Sequence, residues 1–572
     1  MPPSPNRLVE TDVVVIGGGS AGAHAALQAQ ADGLRVLMIV KGFLGRSGAS
    51  IFAGNLQLTE TRDPEATERF IQIRCRYGSS YLSDQDYLRR VSQFTERTFF
   101  PDMEKRGLYI RRHDDGQLVT SGDRKAGNVW APNQGFSGTF IMELLRKDVL
   151  VRGIPLLQET MVTSLLTHEG RIAGVIAYDI VRGEWVVVRA KAVIVATGPS
   201  NYLSTRATGT REQCANGLAM AWRAGAELQD IEMQWFHASD IAAPRSWMRL
   251  HIYPNPMPNT DKTVRLYGSD REMFFHQGMY PKAKQPYYLQ LRNLYHQVRR
   301  GNANWTGGYY GGYTHIEPEI MQRYSYQAQF FRQLDIDINE QLVELGVTWH
   351  MTFGGIRTNA ATMETSVDGL YAAGGVGSHG VGSITFVGYD GTVAAQLAGD
   401  RARKMELLPL DGEQVAREAA RVESKRVMRP QDGYLPQQVK TRIRAVMADR
   451  MGYVKTEASM QAALAELDEI RQTMVPRMGL STITGHWNYD LVDALDVEDM
   501  LEICAITIKA SMARKESRGY FFREDYPMID NGNWLVHSVL SREGDDTRIN
   551  HVSARQTYGP DEAVEDFLTA DY

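Results

Sequence analysis

Cysteine is scarce in this sequence. Only three cysteines occur among 572 residues, Cys75, Cys214 and Cys504, and no two of them form a C-x-x-C pair. Iron–sulfur clusters and cysteine-rich zinc sites need several thiolates at close spacing, so we expect the chain to hold neither. A sparse and odd cysteine count is typical of a reducing compartment, where disulfides do not persist.

Long apolar runs and an excess of one charge are also absent. No stretch reaches the roughly 18 apolar residues that a membrane-spanning helix needs. The first ten residues are polar, and the apolar run 13–16 leads into glycines, which is unlike a signal peptide. The net charge of −5 lacks the basic excess that nucleic-acid binding requires. We therefore expect a cytoplasmic protein with no transmembrane segment and no nucleic-acid partner.

Glycines are concentrated near the start of the chain. In the motif GGGSAG at residues 17–22, Gly17, Gly19 and Gly22 have G-x-G-x-x-G spacing, with Ser20 and Ala21 between them. Residues 11–16 before it predict a buried strand, 21–32 after it a helix, and 34–40 a second strand. Such a βαβ unit binds a dinucleotide, because the glycines let the pyrophosphate approach the backbone at the helix N-terminus.

The motif leaves the identity of the nucleotide open. An NAD site asks for an acidic residue at the end of the second strand, where Val40 and Lys41 stand. A cation at that position suits the 2′-phosphate of NADP, so the motif is compatible with NADP, NAD and FAD. A two-dinucleotide flavoprotein that uses NADP needs a second G-x-G-x-x-G, which residues 374–377 and 380–382 fit poorly.

The segment after the second strand carries a resemblance to a known family. Residues 41–49, KGFLGRSGA, resemble the region before and around R-S-H-T in the flavoproteins of succinate dehydrogenase and fumarate reductase. The resemblance implies FAD, contacted by Lys41, Arg46, Ser47 and Gly48. In the membrane-bound respiratory members the R-S-H-T histidine bonds covalently to the flavin. Gly48 occupies that position here, so we expect FAD to be held non-covalently.

Further stretches resemble the same family and follow the same order. The resemblance implies that Ala196, Thr197, Gly198, Asn216 and Gly375 lie at the flavin nucleotide. Asn216 stands where the family usually has aspartate, and Gly375 where it often has an acidic residue. The matching stretches are residues 196–198 (ATG), 216–225 (NGLAMAWRAG), 230–237 (DIEMQWFH), 354–358 (GGIRT), 368–374 (DGLYAAG), 514–527 (RKESRGYFFREDYP) and 533–537 (NWLVH).

The same resemblance suggests the residues that act on the substrate. Arg292 matches the arginine that moves a proton on the carbon next to the one that exchanges hydride with the flavin. His237 and His350 match two histidines that bind and polarise a substrate carboxylate. His379 matches a V-H-G histidine near the flavin. An arginine is a poor acid at a pKa above about 12, so Arg292 would need a relay and a neighbouring carboxylate.

Two departures from the family concern the substrate. The dicarboxylate enzymes have Thr-Glu about a dozen residues after the first histidine, where this chain has Arg249 and Leu250. They also have A-N-R after V-H-G, and this chain has Val381, Gly382 and Ser383. Serine lacks the charge and the fork geometry with which arginine clamps a carboxylate, so we expect a substrate other than succinate or fumarate.

The predicted fold class is α/β, with a Rossmann-like FAD-binding domain, an inserted α+β capping domain and a C-terminal helical domain. A length of 572 residues requires several cores. The expected divisions are 1–238 and 350–411 for the FAD-binding domain, 239–349 for the capping domain, 412–530 for the helical domain and 531–572 for a tail. The tail after Pro527 is expected to be irregular.

Three functions are compatible with these features. The first is an FAD-dependent oxidoreductase that transfers hydride through flavin N5 on a C–C or C=C bond next to a carbonyl. The second is a redox enzyme like L-aspartate oxidase or adenylylsulfate reductase. Residues 46–49, RSGA, also resemble adenylylsulfate reductase, and L-aspartate oxidase likewise lacks the histidine. The third is a flavin-binding electron-transfer subunit without its own substrate. Expected partners are a small-molecule substrate, further copies of the chain in an oligomer, and an iron–sulfur electron-transfer subunit.

Overall fold

The computed structural model describes residues 7–53, 56–59, 63–75, 80–110, 112–116, 118, 120–121, 126–129, 137–242, 264–276, 289–324, 331–379, 383–544 and 546–560. Its strands and helices are numbered separately along the chain. The strands are β1 (Arg7–Ile16), β2 (Val36–Ile39), β3 (Leu56–Thr59), β4 (Thr120–Ser121), β5 (Ala126–Val129), β6 (Leu156–Leu157), β7 (Thr160–His168), β8 (Arg171–Asp179), β9 (Glu184–Val195), β10 (Leu228–Gln229), β11 (Gln234–Ile241), β12 (Arg265–Tyr267), β13 (Met273–His276), β14 (Tyr309–Gly312), β15 (Val343–Thr352), β16 (Gly355–Ile356), β17 (Leu370–Ala372), β18 (Val454–Lys455), β19 (Phe522–Arg523), β20 (Val536–Glu543) and β21 (Asp546–Ser553).

Helices pack against this framework and dominate the later part of the chain. The α-helices are α1 (Ser20–Ala31), α2 (Pro64–Arg74), α3 (Gln85–Phe94), α4 (Phe100–Lys105), α5 (Ser137–Val151), α6 (Asn216–Arg223), α7 (Leu289–Arg299), α8 (Pro318–Tyr324), α9 (Ile384–Lys404), α10 (Gly412–Glu423), α11 (Pro436–Arg450), α12 (Glu457–Glu469) and α13 (Tyr489–Ala513).

The predicted βαβ unit forms the centre of the largest sheet. In β1 the valines 13–15 are completely buried, and they pair in parallel with β2 on one side and β9 on the other. Strand β1 is four residues longer at its start than predicted. Helix α1 follows the glycine turn, with alanines that let α9 pack closely against it. The prediction of an α/β fold with a buried parallel strand is confirmed.

The large sheet has seven strands in the order β6-β2-β1-β9-β8-β7, with β17 pairing the end of β9. Strands β6, β2, β1, β9 and β17 are parallel, so their carboxyl ends lie at one edge of the sheet. In open α/β sheets a ligand binds in the crevice outside these carboxyl ends. The glycine turn after β1 and the loops after β9 and β17 therefore meet at the expected nucleotide edge.

A second sheet is formed by residues between 234 and 352. It is antiparallel, five-stranded, and has the order β11-β15-β14-β12-β13. Its longest ladder joins β11 to β15 and pairs His237 with Thr348 and Phe236 with Trp349. The register of this ladder shifts between Trp235 and Phe236 and again between His237 and Asp240, which marks local bulges in the pairing.

The predicted C-terminal helical character of the chain is confirmed by α10 to α13, which lie between residues 412 and 513. Helix α13 is 25 residues long and buried along most of its length. A short parallel pair, β18 with β19, joins the segment before α12 to the segment after α13. The division of the chain into domains at 238, 349, 411 and 530 stays a prediction.

The expectation of an irregular tail is wrong. Strands β20 and β21 form an antiparallel hairpin in which β20 also pairs with β10, giving a four-stranded sheet in the order β16-β10-β20-β21. Only residues 538–540 of β20 are buried, and β21 is exposed along most of its length. Because this segment has so few apolar positions, its sequence shows no strand pattern. Pairing of β20 with the distant β10 stabilises the hairpin.

No helix in the described ranges is both long and apolar enough to cross a membrane. The three cysteines are buried free thiols. Burial raises the pKa of Cys75 and of Cys214 to about 12, which keeps both thiols protonated.

Candidate active site

The glycine turn is packed tightly against the end of β9. Gly17 has a φ of +120°, and a Cβ atom on it would lie 2.2 Å from the Ala196 carbonyl oxygen. A Cβ atom on Gly22 would lie 2.1 Å from the Gly17 carbonyl oxygen. Gly19 precedes the first residue of α1 and has no side-chain cap. The glycines thus place no side chain of their own at the helix N-terminus, where the Ser50 hydroxyl accepts from one of the backbone N–H groups, and this backbone-lined turn fits a pyrophosphate.

Ser20 and Ala21 begin α1 and connect the turn to neighbouring elements. The Ser20 amide donates to the Ser50 hydroxyl at 3.1 Å, and both Ser20 and Ala21 are buried. A Cβ atom on Gly391 of α9 would lie 2.1 Å from the Ala21 carbonyl oxygen. Close packing of α9 on α1 therefore fixes the position of the helix N-terminus.

The segment after β2 divides into two environments. Arg46 forms an ion pair with Glu143 at 2.8 Å on the surface. Gly48 has a φ of +80°, its amide donates to the Thr210 hydroxyl at 3.1 Å, and a Cβ atom on it would have no described neighbour within 4 Å. A Cβ atom on Gly42 would lie 3.1 Å from the Ser47 hydroxyl, so Ser47 packs against the start of the segment. Open space beside Gly48 fits a bound ring system.

Lys41 and Asn216 belong to a buried charge network. The Lys41 ammonium donates to Asp496 at 2.6 Å and to the Asn216 side-chain oxygen at 3.0 Å. The Asn216 amide donates to Asp496 at 2.9 Å and to Asp499 at 2.6 Å. Lys440 donates to the other oxygen of Asp496 at 2.7 Å. Burial opposes ionisation of Asp496, but the two lysines lower its pKa to about 2.

Residues 196–198 lie where β9 ends, beside β17. Gly198 has a φ of +79°, and a Cβ atom on Gly217 would lie 2.0 Å from the Thr197 hydroxyl. A Cβ atom on Gly375 would lie 2.7 Å from the Pro199 ring. These close approaches bring the segments with Ala196, Thr197, Gly198 and Gly375 together with the glycine turn. The structure thus gathers most of the predicted cofactor residues at one edge of the sheet.

His379 lies in a buried polar cluster beside that edge. Its ring stacks on Tyr87 at 4.6 Å between ring centroids, and its Nε2 is 2.9 Å from the Thr358 hydroxyl. The Tyr87 hydroxyl donates to Asp390 at 2.9 Å, and the Gly374 amide donates to the same carboxyl at 3.1 Å. Burial lowers the pKa of His379 to about 4, so its ring stays neutral.

The Asp390 carboxyl was missed by the sequence analysis. Burial raises its pKa to about 7, although the hydrogen bonds from Tyr87 and Gly374 oppose that shift. Asp390 lies in α9 within an unremarkable small and apolar run, so the sequence gave no signal for a buried carboxyl there.

Ser383 is the N-cap residue of the same helix. It is the residue immediately before α9, and its hydroxyl is 2.9 Å from the Thr385 hydroxyl. Its side chain is therefore occupied in a local contact at the helix N-terminus. The other departures from the family, at residues 249–250 and 381–382, lie outside the described residues.

His237 and His350 are brought together by the β11–β15 ladder. Their ring centroids are 4.2 Å apart, and the ring planes meet at 65°. The Thr208 hydroxyl lies 2.8 Å from Nδ1 of His350 and fixes that ring. The two histidines thus present imidazole groups to one small volume, as their predicted common role requires.

An aromatic wall lines the histidine pair. Trp235 stacks on His237 at 5.6 Å, on Phe353 at 5.1 Å and on Tyr520 at 4.9 Å between ring centroids. The Trp235 indole N–H is buried and has no hydrogen-bond partner in the part of the chain that the structure describes. Trp235 and Tyr520 were missed by the sequence analysis, since lone aromatic residues in strands and turns are typical of an ordinary core.

Arg292 is buried in α7 near the end of β18. Its Nη1 donates to the Tyr453 hydroxyl at 3.0 Å, and its guanidinium lies 3.8 Å from the Phe522 ring centroid. Its Nε and Nη2 atoms have no hydrogen-bond partner among the described residues. Tyr453 in turn packs at 6.0 Å against Phe236, the neighbour of His237. Arg292 is therefore not a surface residue, and its Nε and Nη2 atoms are left to donate to a ligand or a proton relay.

Comparisons with known proteins identify relatives of the whole chain. The family model described as FAD binding domain matches residues 12–250, and the one described as fumarate reductase flavoprotein C-term matches residues 440–563. A fumarate reductase (CoM/CoB) subunit of Methanothermobacter marburgensis is 26% identical, over 94% of this chain and 98% of its own. The chain belongs to the fumarate reductase and succinate dehydrogenase flavoprotein family.

Two further relatives show the breadth of this family. L-Aspartate oxidase of Streptomyces coelicolor is 24% identical over 98% of this chain and 96% of its own. The solved structure of an E. coli quinol fumarate reductase chain has a TM-score of 0.86 at 22% identity, covering 98% of this chain and 99% of that one. Like other members of the flavoprotein family, the protein is an FAD-dependent oxidoreductase with an α/β fold.

The described residues fit FAD. The backbone-lined glycine turn suits the pyrophosphate, and open space lies beside the backbone of Gly48. The contacts of Lys41, Arg46, Ser47, Asn216, His379 and Ser383 with the cofactor stay predictions. Among the described residues no group of histidine, cysteine and carboxylate side chains is arranged to hold a metal ion.

Proposed function

We propose that the protein transfers hydride to or from a C–C or C=C bond next to a carbonyl, on a substrate other than succinate or fumarate. The observation that carries this proposal is the His237–His350 pair, 4.2 Å apart beside an aromatic wall. Bound FAD supplies the hydride chemistry through its N5 atom. FAD is held non-covalently, because Gly48 has no side chain to form a bond.

The two histidines bind the carbonyl or carboxylate oxygen of the substrate. Imidazole N–H groups at that spacing hydrogen-bond one oxygen and stabilise the negative charge that develops on it during the reaction. The Thr208 contact holds His350 in a fixed orientation. Close packing of Trp235 on His237 excludes water from the pair, which strengthens these interactions.

Arg292 moves the proton on the neighbouring carbon. Its burial, its hydrogen bond to Tyr453 and the face of Phe522 hold the guanidinium in one orientation. Two N–H groups remain for the reacting substrate and a proton source. Because arginine is a weak acid, the reaction needs a second group that restores its proton.

The substrate carries one carboxylate or carbonyl and an apolar substituent. Ser383 gives no cationic fork for a second carboxylate, and its hydroxyl is engaged with Thr385. Trp235, Phe353 and Tyr520 offer aromatic surface beside the histidines instead. Such a wall favours an aromatic or aliphatic group over a charged one.

A separate iron–sulfur subunit exchanges electrons with the protein. All three cysteines are buried free thiols, so none of them can ligate a cluster in this fold. Electrons that reach or leave the flavin then need a partner with its own redox centre. This proposal also agrees with the absence of a C-x-x-C motif in the sequence.

An anaerobic reoxidation experiment tests the proposed substrate class. The flavin is reduced chemically, and its absorbance is followed after addition of fumarate, crotonate, cinnamate or a crotonyl thioester. We expect reoxidation by a monocarboxylate or thioester acceptor and none by fumarate. Rapid reoxidation by fumarate would show that a dicarboxylate site works without the arginine clamp. Release of ammonia from L-aspartate, or of sulfite from adenylylsulfate, would instead support the second function.

Variants of α7 separate an enzyme from an electron-transfer subunit in the same experiment. Arg292→Gln removes the proton carrier and should slow reoxidation by the active acceptor about 100-fold or more. Arg299→Gln, on the exposed side of the same helix, is the matched control and should leave the rate unchanged. An unchanged rate in both variants would favour a flavin-binding subunit without its own substrate.

A further inference from the structure

Lys455 is a buried lysine in the pocket that holds Arg292. It ends β18, which pairs with Phe522–Arg523 of β19, and the residue is 1% exposed. The Lys455 ammonium lies 5.4 Å from the Phe236 ring centroid and 5.0 Å from that of Phe521. A lysine so deeply buried among aromatic rings normally has a carboxylate partner.

No carboxylate pairs with Lys455 among the described residues. The one hydrogen bond that its side chain makes within those residues is to the Tyr453 carbonyl oxygen, at 3.5 Å. The charged groups that act on it are two other cations, Arg292 from α7 and Arg523 from β19. Arg523 is already paired with Asp525 at 2.6 Å and with Glu457 at 2.8 Å.

Glu524, the residue that follows β19, directs its carboxylate elsewhere. Its amide donates to the Lys455 carbonyl oxygen at 2.9 Å, while its carboxylate accepts from the Tyr295 hydroxyl at 2.6 Å. That carboxylate also pairs with Arg299 at 3.4 Å and is 31% exposed. Within the described ranges, the pocket around Lys455 and Arg292 therefore holds two buried cations without a counter-charge of their own.

Burial, together with the charges of Arg292 and Arg523, lowers the pKa of Lys455 to about 7. An amine that titrates near neutral pH is suited to giving and accepting protons. Tyr453 contacts both cations, through its hydroxyl to Arg292 at 3.0 Å and through its carbonyl oxygen to Lys455 at 3.5 Å.

We propose that Lys455 restores the proton of Arg292 during turnover, in the position where a carboxylate relay would otherwise be needed. The inference rests on the proposed function of Arg292. Lys455 is assigned a role that acts through Arg292, as a proton-supplying residue and not as a contact of the substrate.

The proton transfers balance in both directions of the reaction. In reduction, an N–H bond of Arg292 breaks as the C–H bond of the substrate forms, which leaves a neutral guanidine. The Lys455 ammonium then gives its proton to that guanidine, and water reprotonates the resulting amine. In oxidation each transfer runs backward. The two sites repel each other's charge, so loss of the proton from one raises the proton affinity of the other.

Direct titration of Lys455 tests the coupling without any substrate. The holoenzyme is labelled with lysine carrying ¹³C at Cε, and the Lys455 signal is identified by its absence in Lys455→Arg. We expect a midpoint near pH 7 in the wild type and a shift toward the ordinary lysine value of 10.5 in Arg292→Gln. Arg299→Gln should leave the midpoint in place. An ordinary midpoint in the wild type, or no shift in Arg292→Gln, overturns the proposal.

The pH profile of flavin reoxidation tests the role in turnover. Lys455→Arg keeps the positive charge but cannot lose it near neutral pH, so we expect a rate about 100-fold lower and no inflection near pH 7. Wild-type rate and inflection in that variant would overturn the proposal. If no acceptor reoxidises even the wild type, the proposed function fails, and the lysine titration still decides whether the two cations are coupled.

Discussion

At the scale of single residues, close backbone approaches determine the nucleotide edge. Gly17 has a positive φ, and a Cβ atom on it would lie 2.2 Å from the Ala196 carbonyl oxygen. Both its backbone conformation and its surroundings therefore exclude a side chain. Gly33, after α1, also has a positive φ, at +77°, but a Cβ atom there would meet no described atom within 4 Å. The two glycines therefore differ in packing while sharing the conformational requirement.

Gly17→Ala should lose FAD, because its Cβ atom would push the Ala196 carbonyl away and displace the end of β9 from the turn. Gly33→Ala is the matched control and should retain FAD with a loss of stability of about 1 kcal/mol from the positive φ alone. The measurement is FAD content after gel filtration, with acid-released flavin counted to confirm non-covalent binding. Equal FAD content in the two variants would contradict the packing argument.

At the scale of elements, helix α13 ties the helical segment to the nucleotide edge. Asp493, Asp496 and Asp499 recur every three residues and so lie on one side of the helix. Asp493 and Asp496 each accept from Lys440 at 2.7 Å, and Asp496 also accepts from Lys41. The sequence shows this spacing, but only the packing of α13 reveals that it faces two lysines from distant segments.

Asp496→Asn should destabilise the protein by about 3 kcal/mol, since it leaves the buried Lys440 and Lys41 short of negative charge. Asp432→Asn removes an exposed pair with Arg477 and is the control, with an expected cost of about 0–1 kcal/mol. Urea unfolding followed by circular dichroism compares the two variants. Equal midpoints would show that the network contributes no more than a surface ion pair.

At the scale of the whole molecule, the C-terminal hairpin is joined to the rest of the chain by a charged pair. The Nδ1 atom of His537 in β20 lies 2.6 Å from a carboxylate oxygen of Asp230, which follows β10. Burial disfavours the charged imidazole, but the Asp230 carboxylate raises the pKa of His537 above its ordinary value of 6.5. Burial likewise opposes ionisation of Asp230, and His537 and Arg514 lower its pKa below 3.8.

This pair makes stability depend on pH in a definite direction. The contribution of His537 is fully present below pH 6.5 and is lost as the pH rises through its raised folded-state pKa. That of Asp230 is present above pH 3.8 and is lost as the pH falls through its lowered pKa. The contribution of His537 to the urea midpoint, taken as the difference between the wild type and His537→Gln, should therefore fall as the pH rises from 6 to 9.

The exposed His486→Gln is the control, and its midpoint should differ from that of the wild type by the same amount at every pH in this range. A difference between the wild type and His537→Gln that does not change with pH would contradict the role given to His537.

Much of the fold was available from the sequence. The βαβ unit was predictable because buried β-branched strands, a glycine turn and an alanine-rich helix follow one another within 40 residues. The helical character of the region that holds α10 to α13 was also predicted from the sequence. Candidate residues Arg292, His237 and His350 came from the family resemblance, and the structure buries Arg292 and brings the two histidines together.

Other features depended on contacts between segments far apart in the chain. Strand β20 has few apolar residues and forms because β10, about 300 residues earlier, supplies its hydrogen-bonding partner. Lys455 resembles an ordinary surface lysine before a helix, and only burial beside Arg292 gives it a changed proton affinity. Local patterns determined the nucleotide-binding unit and its helices, whereas tertiary packing decided the charge environment, since burial and electrostatic coupling arise only when distant segments meet.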